Sequence, residues 1–320
     1  MKNLNQVIND FINDKSNKIY LDNLNQILSI SKQILKKKPY KISKNDYSIS
    51  FDINESIKII IKFLKEIDVN LSNQFQEIIT MKDENGNSIL KFINGNKSYY
   101  QKYPQELTKE IKKEIDLGSR VENKKIYIIT QNTLDDIFYF IHEIFHYMNL
   151  YTLLEISGNN ALEKENYTRN ILGETVSITI EKLFGEYLVK NNYITQNDLY
   201  IRLNKRLEKS YEDAKAIIIE SALLELIKTG NINTTTINQY LSNIQDQDII
   251  KILEEELKTN KYTSNIIKNQ QLSLRIRLKY VLGTYLQDNY SYPNDIQKFI
   301  QLHQQVGNKD ANIKDTIKKI

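Results

Sequence analysis

The spacing of apolar positions changes along the chain, and the changes mark its parts. Over 3–38 they recur at helical spacing (Leu4, Val7, Ile8, Phe11, then Leu21, Leu24, Ile27, Leu28, Ile30). Lys36-Lys37-Lys38-Pro39 then supplies a basic last turn and a stop. The pattern over 54–79 predicts two more helices, with a break between Asp68 and Asn73. The period shortens next. Ile78 to Met81, the polar run Asp83-Glu84-Asn85-Gly86-Asn87, and Ile89 to Ile93 predict strand, tight turn and strand. A helix is expected over 105–116, and the β-branched run IYIIT (126–130) predicts a third short strand. From Thr133 onward the pattern is helical. Thr133, followed by Asp135 and Asp136, suits a helix start, because a hydroxyl cap and acidic residues complement the exposed amides there. That central helix is expected to reach about Tyr151, with others over 161–190, 195–228, 234–258, 272–288 and 294–304. The expected fold is mainly α with a small inserted β-sheet. Its parts are a helical extension over 1–45, a main domain over 46–305 and a polar tail over 306–320.

Composition narrows the chemistry. Of 320 residues, 40% are hydrophobic and 26% charged, as in a soluble globular chain. A net charge of +4 is too mild to argue for nucleic acid or a membrane surface as partner. Cysteine is absent, which excludes disulfides, thiolate metal ligands and cysteine nucleophiles. The opening MKNLNQVINDFINDK has no apolar core of a signal peptide, and no later run approaches the ~20 apolar residues of a spanning helix, so a cytoplasmic location is expected.

Only three His occur, and two of them lie four residues apart in FIHEIFHYMNL (140–150). His142 and His146 share one helix face, one turn apart, so both imidazoles can reach a single Zn²⁺. Glu143 stands beside that face, where it can take a proton from an activated water. Without Cys, a catalytic site with an open position is favoured over a four-ligand structural one. An HxxGxxH continuation is excluded by Asn149 and Thr152, which leaves a downstream carboxylate as third ligand. Glu155 is close in sequence, and Glu163 and Glu165 read as an exposed loop. Glu174 shares a face with Ser177 and Glu181 on an otherwise apolar helix, where a carboxylate is costly unless it meets a metal or a cation. Glu181 suits a supporting role, holding a ligand His rather than the metal.

With LDDIFYFIHEIFHYM followed by ETVSITIE, the chain resembles the oligoendopeptidase F and thimet oligopeptidase family of zinc peptidases. SFDINESIKIIIKFLKEIDVNL (50–71) is similar to that family's helix pair before the sheet, IYIITQNTLDD to its strand leading into the active-site helix, and LKYVLGTYL (278–286) to its segment carrying an oxyanion-stabilising Tyr. The resemblance covers about 46–305, the catalytic half of a family usually about twice as long. It implies a zincin-type helical peptidase domain with one Zn²⁺ per chain on His142, His146 and Glu174. Glu143 would be the general base and Tyr280 the oxyanion donor, acting on internal bonds of short peptides. Two departures accompany it: Gln270 stands near the place of a family His, and the Gly-rich substrate segment is reduced to FINGNKSYY (92–100). They motivate the alternative of a weakened zinc-fold protein that binds peptides or regulates. The strand at 126–130 is expected to offer an open edge for an extended peptide. His303 reads as a surface helix residue.

Overall fold

A computed structural model of the protein describes residues 2–40, 49–157, 167–230 and 232–306. The first helices are α1 (Leu4–Asn13), α2 (Lys18–Asp22) and α3 (Leu24–Lys36). After them come α4 (Ile53–Ile67), α5 (Val69–Thr80), β1 (Leu90–Asn94), α6 (Lys97–Lys102), α7 (Lys109–Leu117), β2 (Arg120–Glu122) and β3 (Lys125–Thr130). The remainder is helical: α8 (Asp135–Ser157), α9 (Tyr167–Lys190), α10 (Gln196–Thr229), α11 (Thr234–Asn243), α12 (Gln247–Thr259), α13 (Lys261–Asn269), α14 (Leu274–Leu286) and α15 (Ile296–Val306). The fold is mainly α with a small three-stranded sheet. Among the described residues no helix is long and apolar enough to cross a membrane.

By packing, the chain divides into two units. One comprises the described residues of Met1–Tyr40 and Asn204–Tyr285, the other those of Lys41–Leu203 and Leu286–Ile320. In the first, Arg275 on α14 ties down the turn after α1, donating to Asp14, Ser16 and Asn17. Gln270, in the left-handed conformation that ends α13, accepts from the Lys2 amide at 2.8 Å and donates back to the Lys2 carbonyl at 3.2 Å. The core of the second unit is aromatic and branched: Phe63, Phe75, Ile126, Phe138, Phe140, Ile144, Phe145, Val176, Phe184 and Phe299 are all buried. Gly185 lets α9 lie close against its neighbours. A Cβ there would stand 2.4 Å from Leu199 Cδ1 and 3.3 Å from Phe138 Cε1.

Several expectations are corrected. Residues 78–80 end helix α5 rather than forming a strand, because Leu71, Phe75 and Ile78 keep a helical period and all face the core. Asp68 alone separates α4 from α5, since its carboxylate accepts from the Asn70 amide at 2.6 Å and caps the second helix. The span 234–258 holds two helices, divided at Asp246, whose side chain caps α12. β3 is the central strand, in the order β1-β3-β2. It pairs parallel with β1 from Leu90↔Ile126 to Asn94↔Thr130 and antiparallel with β2 from Arg120↔Tyr127 to Glu122↔Lys125. Beyond β2 the Ile129 amide donates to Ser119 Oγ at 2.9 Å, so neither side of β3 is the open edge expected for a peptide. His303 is half-buried rather than the fully exposed helix residue expected. Its ring stacks on Phe299 and meets Phe145 edge-on, and Nδ1 is shielded from solvent.

Candidate metal centre

The site begins at the turn from β3 into α8. Asp136 Oδ2 accepts from the amides of Gln131 (2.8 Å), Asn132 (2.8 Å) and Thr133 (3.3 Å). Thr133 therefore does not cap with its oxygen; its hydroxyl donates to Asp136 Oδ1 at 3.3 Å. Three otherwise unpaired amides are satisfied by one carboxylate, which sets the direction in which α8 leaves the sheet. Burial raises the Asp136 pKa, and the amides and the Thr133 hydroxyl oppose that only in part.

From this turn α8 runs through the core, because Ile137, Phe138, Phe140, Ile141, Ile144 and Phe145 are buried around it. Its length exceeds expectation, ending at Ser157 rather than near Tyr151. His142 and His146 lie one turn apart, with Nε2 atoms 2.9 Å from each other and ring planes at 73°. α9 packs against α8 and presents Glu174 to both rings: Oε1 is 3.4 Å from His142 Nε2, and Oε2 is 3.3 Å from His146 Nε2. One ligand atom from each of the three residues lies within 4.8 Å of the others. Glu174 is thus brought to the His pair, while Glu163 and Glu165 lie outside the described residues.

Behind the rings a second layer forms. Glu181, two turns after Glu174 on α9, accepts from His142 Nδ1 at 2.6 Å. Its other oxygen accepts from Arg202 Nη2 at 2.6 Å, and Arg202 Nη1 reaches Asp135 at 3.2 Å. The Arg202 guanidinium also lies over the rings of Phe138 and Tyr139, 5.2 and 4.9 Å from their centroids. A bridge therefore runs from α8 through α9 and α10 back to α8, holding His142 from its far side. With the proton on Nδ1, the His142 Nε2 lone pair faces His146 and Glu174. The sequence motifs do not single out Arg202 or the pairing of Asp135, although a signal exists: Arg202 shares a helix face with buried Leu199, where a lone cation needs a partner.

The electrostatics match an ion site. The buried carboxylates of Glu143, Glu174 and Glu181, with half-buried Asp135 beside them, outnumber the Arg202 guanidinium, so the centre is short of positive charge. Burial alone would lower the His142 pKa, but hydrogen bonds to Glu174 and Glu181 override it and raise the value to about 9. Burial pushes Glu174 upward, yet the two His rings hold it well below the ordinary carboxylate range. Either a proton on His142 or a bound cation can supply the missing charge. Two imidazole nitrogens and a carboxylate, with a carboxylate behind one ring, are a donor set that fits a divalent metal such as zinc.

Glu143 is buried beside His142, and among the described residues no side chain hydrogen-bonds its carboxylate. Tyr280 belongs to the first unit, on α14. There its ring is flanked by the Lys209 and Lys279 ammonium groups, at 4.1 and 4.8 Å. Compared with protein-family models, curated proteins and solved structures, the chain has no significant match.

Proposed function

We propose that the chain is a zinc metallopeptidase that hydrolyses internal bonds of short peptides, of the kind its motifs resemble. The observation that carries this reading is the convergence of His142 Nε2, His146 Nε2 and the Glu174 carboxylate, with Glu181 bonded to the back of His142. His142, His146 and Glu174 would hold one Zn²⁺ per chain. When bound, zinc supplies Lewis acidity, lowering the pKa of water and polarising the scissile carbonyl. Glu143 accepts the proton of the attacking water and returns it to the leaving amine. Glu181 and Arg202 keep the His142 ring in the tautomer that ligates. Tyr280 is assigned, by resemblance alone, as donor to the oxyanion.

A second reading is a peptide-binding or regulatory protein that keeps the metal but not turnover. It is favoured by Gln270, which stands near the place of a family His and is occupied with the Lys2 backbone. Metal analysis of protein purified without chelator, combined with cleavage of a quenched-peptide library, decides between them. Zinc near one per chain with cleavage supports the enzyme; zinc with peptide binding but no cleavage supports the binder; protein without transition metal removes both.

A further inference from the structure

The two ring nitrogens that face away from the candidate metal centre are served unequally. His142 Nδ1 has the Glu181 carboxylate at 2.6 Å, whereas no described residue hydrogen-bonds His146 Nδ1. Three residues further along α8, Asn149 is only 5% exposed, and neither its Nδ2 nor its Oδ1 has a hydrogen-bond partner. A Cβ added at Gly173 on α9 would stand 3.9 Å from Asn149 Nδ2 and 3.9 Å from His146 Nδ1. The carboxamide and the unserved nitrogen therefore border one small gap between α8 and α9, which glycine leaves just before Glu174. Residues three apart on a helix are neighbours, so the geometry of α8 itself keeps the two side chains together. A buried amide with neither end paired is costly, which points to a state of the protein in which it is paired.

Ligation creates that state. An imidazole that ligates through Nε2 is neutral and carries its proton on Nδ1, where the proton needs an acceptor. A primary amide donates at one end and accepts at the other, with nearly the same shape either way round. With Nδ2 toward the gap, Asn149 can donate to a lone pair on His146 Nδ1. Turned over, it brings Oδ1 to the same place and accepts the Nδ1 proton. We propose that Asn149 is the positioning residue of His146, holding its ring in the ligating tautomer as Glu181 holds that of His142. The inference rests on the zinc reading and adds to it a residue that acts through His146 rather than on the metal. A carboxylate behind one ring and a neutral amide behind the other make His142 the more basic of the two ligands.

Ring N–H protons of the zinc-loaded protein report this by NMR, alongside zinc affinity measured with a competing chelator. Two protected Nδ1 protons are expected, and Glu181→Gln, which alters the bond to His142, tells them apart. Asn149→Leu, close in size but without an acceptor, should shift the His146 proton, speed its exchange with water and weaken zinc by ~10–100-fold. Asn149→Asp, which offers an acceptor either way round, should restore both the protected proton and the affinity. A carboxamide that only fills space would leave the His146 proton and the zinc affinity of folded Asn149→Leu as in the parent, and that result overturns the proposal. Equal weakening by Asn149→Leu and Asn149→Asp overturns it as well. Should Asn149→Leu fail to fold, the parent decides: a cross-peak between the His146 Nδ1 proton and the Asn149 amide protons is expected, and its absence overturns the proposal. A parent that takes up no zinc removes the zinc reading together with this one, whereas a parent with one zinc per chain and an indifferent Asn149→Leu removes this one alone.

Discussion

The His142 ring carries the most consequence at the scale of single residues. Its raised pKa means that the metal-free chain keeps it protonated at neutral pH, and metal uptake has to expel that proton. Zinc affinity should therefore fall as pH drops below about 9, and calorimetry in buffers of different ionisation enthalpy should register the released proton. His142→Ala or His146→Ala should abolish stoichiometric zinc, and Glu174→Gln should weaken it strongly, whereas Glu163→Gln and Glu165→Gln should not. Glu181→Gln removes only the bond behind His142, so metal affinity should fall by ~10–100-fold with the ligands intact. His303 gives a separate pH effect. Its folded pKa of about 4 lies below the ordinary 6.5, so the unfolded chain takes up the proton first as pH falls. Stability from this residue is complete above pH 6.5 and lost progressively down to about 4. Denaturant unfolding of His303→Phe should show a flatter acid limb; an unchanged limb would mean that the ring does not sense its aromatic cage.

Elements decide whether these residues meet. The approach of α9 to α10 and α8 depends on Gly185, where a Cβ would collide with buried Leu199 on α10 and crowd Phe138 on α8. Gly185→Ala should cost ~1–3 kcal/mol through overpacking, read as a lowered denaturation midpoint, and should loosen zinc binding because Glu174 and Glu181 ride on the same helix. The direction of α8 depends on Asp136, which holds three amides of the turn. Asp136→Ala leaves those amides without their acceptor and should destabilise by ~1–3 kcal/mol, whereas Asp136→Asn, which keeps an oxygen, should cost less. The helical periods of α8 and α9 are legible in the sequence, and so is the placing of Glu174 and Glu181 on one face. The end of α5 is not, since Ile78 and Ile79 have the β propensity of a strand and only the core beneath Leu71, Phe75 and Ile78 keeps them helical.

For the molecule as a whole, Glu143→Gln is the variant that tests function. It preserves size and the metal ligands but cannot accept a proton. Peptide cleavage should fall by ~10²–10⁴ while zinc and peptide binding persist. Tyr280→Phe should lower kcat with little effect on KM, because its bond is made mainly in the transition state. If that variant is silent, the Tyr assignment falls and the peptidase reading stands. Removing zinc with a chelator should lower the unfolding temperature, since an ion that binds only the folded chain stabilises it by mass action.

What the sequence determined by itself is local. One helix period brings His142 and His146 to one face, another aligns Glu174 with Glu181, and the absence of Cys leaves imidazole and carboxylate as the available strong ligands. Those inferences need only the geometry of a single helix. Tertiary structure decided everything that depends on which elements are neighbours. It made β3 the central strand instead of an edge, seated His303 between Phe145 and Phe299, and recruited Arg202 and Asp135 to brace Glu181. It also left the Asn149 amide buried without a partner. Strand order, ring stacking and the pairing of a buried cation are contacts between residues far apart in the chain. Their energies come from packing and desolvation, and no local period encodes them.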